Sequence, residues 1–417
     1  MDKSFYIENR QELYKTLSKK TVVISFAGVA PHRTADVNYI FFTNRNFFYL
    51  TGLEGTETEK FIFMAEKTEN NEIIETIFFL PPNLMLERWN GRRLKPDEIA
   101  EKSGIDNIQN VDDFKTMLHK ILYLGKYNTL ALDLHKNTFN QANTMAHDFA
   151  EHFSKQYPDI KIDNIYRQLR KQRTIKKPCE IKAMEKAETI TKAGIVAMMK
   201  NSVPGMYEYE YKALFDKELT SKGVLEPAFN SIISTGDNNF CIHYYGYRGK
   251  SKDGDMILND VGAIWDGMCT DVSRGWPCNG KFNERQKLLY KAAYDTSEYL
   301  FSIIKPGMIM ADVDKLSHSF CAKELVKIGL LDDENNVSKY MWHGGAHHVG
   351  FDVHDEVEVN ETMQAGMVFC VDIGIYVEEW GIGFRLEDNC LVTETGSKNL
   401  SADIPRSIED IEKTMIK

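Results

Sequence analysis

The order of apolar patterns along the chain predicts an α+β protein in two domains, and three observations carry that prediction. At 417 residues the chain is longer than one hydrophobic core ordinarily organises. Its first third mixes short β-rich runs with helical patterns. Its later part gathers long helical and long strand patterns into separate spans, without the regular βαβ alternation of a doubly wound sheet. The expected architecture is an N-terminal α/β domain with a mixed sheet, residues 1–170, and a C-terminal domain, residues 171–417, with helices on one face of a curved antiparallel sheet.

In order along the chain, the runs Thr21 to Ala27, Lys60 to Met64, Ile73 to Phe79 and Thr129 to Leu132 read as strands. Helical patterns lie between them at Pro96 to Lys102 and Val111 to Leu122. Asn44 to Gly52 (NRNFFYLTG) reads as an aromatic strand running into a turn, and Arg88 to Leu94 (RWNGRRL) as cations gathered round a tryptophan. The basic stretch Tyr166 to Lys177 then meets Pro178 at the head of a helical pattern, which marks either a domain boundary or the solvated face of an interdomain helix. Further helical patterns cover Tyr207 to Lys222, Asn283 to Ile304 and Val313 to Ile328; Pro306-Gly307 stops the second. Strand patterns fall at Phe229 to Ser234, Met256 to Trp265, Gly366 to Val377 and Asn389 to Thr393.

The segment Met256 to Pro277 organises the rest. Gly262, Asp266 and Gly267 predict a hairpin turning near Trp265 to Met268, which brings Asp260 and Asp271 to one end of a sheet. Taken alone, two aspartates at hairpin ends are ordinary turn chemistry.

Composition narrows the function classes. A net charge of -10 argues against nonspecific nucleic-acid binding, which rests on neutralising phosphates with Lys and Arg. The first residues, MDKSFYIENRQELYK, lack the apolar core of a signal peptide, and no segment offers the uninterrupted apolar run of a spanning helix, so neither standard secretion nor a membrane span is expected. Seven cysteines without C-x-x-C spacing fit reduced thiols in the cytoplasm, several of them plain core residues.

Three clusters downstream of the hairpin carry candidate chemistry. Trp342 to Asp355 holds four of the chain's eleven histidines. His343 and His347 have the spacing of two ligands on one helical face, but Gly344-Gly345 between them disfavours a helix. Asp372 interrupts the apolar run Gly366 to Gly374, and a buried carboxylate needs a partner. Gly381 to Asn389 is again a strand with acids at its end, where Arg385 and Glu387 share a face and fit a surface ion pair equally well.

Together these segments resemble the "pita-bread" metallopeptidases over nearly the whole chain, and most of all the aminopeptidase P branch. The family's ligands run Asp, a second Asp eleven residues later, His, Glu and Glu; they map onto Asp260, Asp271, His347, Asp372 and Glu387. HGGAHHVGFDVHD is similar to the family's HGxxHxxGxDxHD, GIGFRLED carries Glu387, and His243 in CIHY matches an active-site histidine. The patterns at Arg45 to Gly52 and Trp89 to Leu94 fit this branch and separate it from methionine aminopeptidases. One position departs: where the family has Val-Glu-Pro-Gly, this chain has Val371-Asp372-Ile373-Gly374, with a shorter acid and no proline to fix the turn.

The resemblance implies a creatinase/aminopeptidase P-like domain over residues 1–170 and a pita-bread catalytic domain over 171–417. It implies release of the N-terminal residue from peptides with proline in second position, by attack of a hydroxide bridging two divalent metal ions. Asp271 and Glu387 would bridge the ions, and Asp372 would also shuttle the proton. His343 and His354 would steady the carbonyl and oxyanion, His243 would line the proline side, and Arg385 would orient a ligand carboxylate. Oxygen-dominated donors with one imidazole favour Mn²⁺, with Zn²⁺, Co²⁺ or Fe²⁺ as substitutes. The expected partners are a peptide substrate and a second copy of the chain, as homodimer or homotetramer, with no nucleic acid and no membrane. Two rivals stay open: an Xaa-Pro dipeptidase (prolidase), and a retired peptidase scaffold that only binds.

Overall fold

The computed structural model describes residues 1–357 and 362–416, which divide into two units, Met1–Gln172 and Arg173–Lys417. In the first unit the β-rich runs form one six-stranded mixed sheet. Its order is Ile108–Asn110, Ile73–Phe79, Ile62–Lys67, Thr21–Phe26, Thr129–Leu132, Lys161–Asn164. Thr21–Phe26 pairs antiparallel with Ile62–Lys67 and parallel with Thr129–Leu132. Buried along its whole length, it reads TVVISF without polar alternation.

One segment of this unit differs from the sequence reading. Arg45–Thr51 is an α-helix, not a strand. All of its residues are buried, so no helical periodicity survives in the sequence. The deciding signals sit at its ends: the Asn44 side chain accepts from the Phe47 amide, and Gly52 closes the helix at φ 70. Arg88 and Trp89 also fall in a helix, Leu84–Asn90, with Trp89 exposed.

Among the described residues the second unit has four long helices, Pro178–Asn201, Glu208–Ser221, Glu284–Ile303 and Met310–Lys327, and two three-stranded antiparallel sheets. One sheet holds Ile232–Thr235, Met256–Val261 and Val272–Pro277; the other holds Val368–Val377, Ile382–Val392 and Ser397–Asn399. The two strand patterns expected around Asn389 are one continuous strand, Ile382–Val392. Between the aspartates, Ile264 pairs with Cys269 and Trp265 with Met268, so the turn is Asp266-Gly267, at φ 52 and 81. Two successive positive φ angles define the turn type that matches hairpin twist, and Asp-Gly is among its preferred sequences. The seven cysteines are free thiols, and among the described residues no helix is long and apolar enough to cross a membrane.

Alternation along the two longest strands decides what faces the core. Phe369, Val371, Ile373 and Ile375, with Phe384 and Leu386, join the apolar core. Asp388 shares that parity and is fully buried, yet it is paired: Arg274 Nη2 donates to it at 2.6 Å and Arg406 Nε at 3.1 Å. Asp388→Ala removes the buried countercharge of Arg274 and one of the two carboxylates that hold Arg406. It is expected to lower unfolding free energy by about 3–5 kcal/mol, read as a shift of the urea midpoint at unchanged slope.

Candidate metal centre

The opposite face of the same two strands builds the site. Register places Cys370 opposite Asn389, Asp372 opposite Glu387, and Gly374 opposite Arg385. Directly opposed residues on one sheet face are close neighbours, so a carboxylate pair is enforced by pairing alone. Asn389 then docks the other sheet: its Oδ1 accepts from the Asp271 amide at 3.1 Å, and its Nδ2 donates to the Asp271 carbonyl at 2.7 Å. Ser273, two residues on, donates to Glu387 Oε2 at 2.9 Å. Asp260 lies opposite Ser273 across the hairpin, and Arg385 Nη2 donates to its Oδ2 at 2.8 Å. The guanidinium is held in turn by the Tyr376 hydroxyl and the Ile242 carbonyl, each at 3.1 Å.

The histidines arrive on a non-helical segment, as its two glycines predict. Backbone bonds lay it along Val368–Val377: the Cys370 amide donates to His347 O at 2.8 Å and the Asp372 amide to Gly345 O at 2.7 Å. A Cβ at Gly345 would collide with the Asp372 carbonyl, so this close approach requires glycine. His347 Nε2 stands 3.4 Å from Asp271 Oδ2 and 3.6 Å from Glu387 Oε1. His343 Nδ1 lies 3.3 Å from Asp372 Oδ2, while its Nε2 meets the Tyr376 hydroxyl at 2.9 Å. The His354 ring sits 4.1 Å from that of His347, centroid to centroid. His243 is exposed at the margin, near enough for its charge to act on His354.

Asp260, Asp271, His343, His347, His354, Asp372, Arg385 and Glu387 are thus brought together from four separate stretches. The sequence reading missed Cys370, Tyr376, Ser273 and Asn389. Two of them were within reach of period-two reasoning, since Cys370 precedes Asp372 by two residues and Asn389 follows Glu387 by two.

Electrostatics describe a crowded acidic pocket. Burial, then the charges of Glu387 and Asp260, hold the Asp271 carboxyl well above its ordinary range; burial and Glu387 do the same to Asp372. Burial also works to raise Glu387, but hydrogen bonding and charge from His347, with help from Arg385 and Ser273, bring it down to about 2. His347 is pushed the other way: burial would lower it, but Asp271 and Glu387 hold it well above the usual imidazole range. Burial lowers His343 and His354, which keeps both neutral near pH 7.

These residues fit divalent cations. Asp271, His347, Cys370 and Glu387 each offer one ligand atom, and all four atoms lie within 4.8 Å of one another. The buried oxygens Asp260 Oδ1, Asp271 Oδ1 and Asp372 Oδ1 have no hydrogen-bond partner. Buried acceptors left unmatched are costly, and a cation among them satisfies several at once.

Comparison with known proteins agrees with this geometry. Residues 182–394 match the model of metallopeptidase family M24, and residues 6–130 match that of the aminopeptidase P N-terminal domain. The chain is 29% identical to the Xaa-Pro aminopeptidase of Haemophilus influenzae, covering 100% of this chain and 98% of that one. It is 28% identical to the Xaa-Pro aminopeptidase of Escherichia coli, over 98% and 96%. A solved Bacillus anthracis structure superposes with a TM-score of 0.95 at 36% identity, covering 100% of this chain and 98% of that one. Aminopeptidase P from Escherichia coli, solved with the inhibitor Pro-Leu, superposes with a TM-score of 0.89 at 26% identity over the same shares. With one family model matching residues 182–394, a second matching residues 6–130, and fold agreement along the whole length, the chain belongs to metallopeptidase family M24, in its pita-bread aminopeptidase P branch.

Proposed function

We propose that this protein is a metal-dependent aminopeptidase that removes the first residue from peptides with proline in second position. The observation that carries the reading is the group of buried, unmatched carboxylate oxygens beside His347, in a chain similar along its whole length to proteins named Xaa-Pro aminopeptidases. The catalytic domain is assigned to residues 171–417. Asp260, Asp271, His347, Asp372 and Glu387 would hold two divalent ions, whose +4 balances the -4 of the four carboxylates. When bound, such ions polarise a carbonyl oxygen and lower the pKa of water toward ~7. The oxygen donors favour Mn²⁺, with Zn²⁺, Co²⁺ or Fe²⁺ as substitutes.

The chain's own groups then do the proton and positioning work. Asp372, opposite Glu387 across the strand pair, takes the proton from the attacking water and returns it to the proline nitrogen as the bond breaks. His343 and His354, neutral at working pH, donate hydrogen bonds to the substrate carbonyl and to the oxyanion it becomes. Arg385 fixes Asp260 Oδ2, which leaves the unmatched Oδ1 free to hold an ion. His243 flanks the proline ring, which has no N–H and blocks the approach ordinary peptidases use. The chain is assigned to the cytoplasm, in keeping with its free thiols, as a homodimer or homotetramer.

Hydrolysis of an Xaa-Pro-Xaa peptide, compared with an Xaa-Pro dipeptide and repeated in chelator, tests the reading. The expected result is release of the first residue from the longer peptide, abolished by chelator. Cleavage of the dipeptide alone would make the protein a prolidase. Full Mn²⁺ loading without cleavage of either would make it a retired scaffold, with the shortened Asp372 as the suspect; recovery by Asp372→Glu would locate the fault.

A further inference from the structure

We propose that Cys370 is a metal ligand, giving the cation beside His347 a sulfur donor; the inference rests on the metallopeptidase reading above. Cys370 and Cys390 lie on the two longest strands and are equally buried, but they face opposite ways. Cys390 packs in the apolar core, whereas Cys370 sits on the face that carries Asp372, Glu387 and Asn389. Its sulfur is one of the four donor atoms that lie within 4.8 Å of one another, with those of Asp271, His347 and Glu387. Asn389 Nδ2, the amide that grips Asp271, also points toward Cys370 Sγ at 3.6 Å. Asp271, another of the four, also keeps a buried Oδ1 with no hydrogen-bond partner, an acceptor that a cation would satisfy.

Asp372 bears on the same donor set. It is one methylene shorter than glutamate and is not one of the four donors grouped round His347; its Oδ2 stands by His343 at 3.3 Å, and its unmatched Oδ1 is left to the second cation. Beside His347 the donor set is therefore two carboxylates, one imidazole and one thiol. On binding, the thiol's proton leaves to solvent and the thiolate takes its place on the ion. A sulfur in the set turns this position from one suited to Mn²⁺ toward one suited to Zn²⁺, Co²⁺ or Fe²⁺, while the position beside Asp260 keeps oxygen donors. The centre is then asymmetric, with a softer cation beside His347 than beside Asp260.

The test is spectroscopic. Wild-type protein loaded with Co²⁺ is expected to show a near-ultraviolet sulfur-to-cobalt charge-transfer band. Cys370→Ser and Cys370→Ala are expected to lose it at unchanged Co²⁺ content and to lower the Zn²⁺:Mn²⁺ affinity ratio by about tenfold or more. X-ray absorption of the Zn²⁺ protein should place one sulfur at about 2.3 Å, a measurement that decides the matter on wild type alone if the variants fail to fold. Stoichiometric Co²⁺ with no such band, or a band that persists in Cys370→Ser, overturns the sulfur ligand and leaves the peptidase reading standing. Wild type that binds no divalent ion overturns both.

Discussion

Asp271→Asn is expected to lower kcat/KM by more than about 10²-fold at saturating cation, beyond the 10–100-fold typical of residues that only support a metal ligand. The same substitution should leave the metal-free protein at least as stable as the parent. Both halves follow from one arrangement. Asp271 is 4% exposed, its backbone is clamped by Asn389, and its side chain faces Glu387 and His347. The amide keeps the shape and the clamp but removes a carboxylate whose ionisation is opposed by burial and by Glu387. His347→Ala should match the loss of rate. Steady-state kinetics beside thermal unfolding in chelator checks both halves, and wild-type turnover in either variant would refute the assignment.

Stability in chelator is expected to fall as pH rises from about 5.5 to 8, and the stabilisation gained by adding cation should grow over the same interval. The fall comes from Asp271, Asp372 and His347; the lowered His343 and His354 act in the opposite sense only up to their unfolded value of 6.5, and Glu387 titrates below this interval. Asp271 and Asp372 have folded values raised well above 3.8. The folded state thus holds their protons more tightly, and its advantage erodes as pH climbs above the unfolded value toward the raised one. His347 is raised above 6.5, so its contribution is complete below that value and is lost as pH rises through the folded one. Glu387, depressed to about 2, contributes above its unfolded value of 4.5 and loses that contribution only as pH falls toward 2. Cations replace the missing protons. A single site at one hundred times its dissociation constant adds about 2.7 kcal/mol, roughly 2–4 °C in Tm per kcal/mol for a domain of this size. Thermal scans at both pH values, with and without chelator, read the effect; a cation-induced shift independent of pH would contradict it.

The parts legible in the sequence are those fixed by local chemistry. Asp266-Gly267 announces its hairpin because few residue pairs accept two positive φ angles in succession. Pro178 opens a helix because its missing N–H is not needed there. Gly344-Gly345 keeps His343 and His347 off a helix, and the structure puts them on an irregular segment with bends instead. What was not legible depends on partners far away in the chain. The helix Arg45–Thr51 is buried on all sides by its surroundings, which erased the periodicity that would have named it. Cys370 looks like an ordinary core thiol until the register with Asn389 and Glu387 is known. Arg385 fits a surface pair with Glu387 equally well until Asp260, on another sheet, takes its guanidinium. Local pattern fixes elements, whereas register and sheet-to-sheet docking fix the site.

Asp260, Asp271, His347, Asp372 and Glu387 are expected to hold divalent cations jointly. Anomalous diffraction from crystals soaked in Mn²⁺ locates those cations. Two anomalous peaks are expected among these side chains in the wild type, with at least one lost in Asp271→Asn. Wild-type crystals with no peak there, or with Mn²⁺ bound only elsewhere, would contradict it.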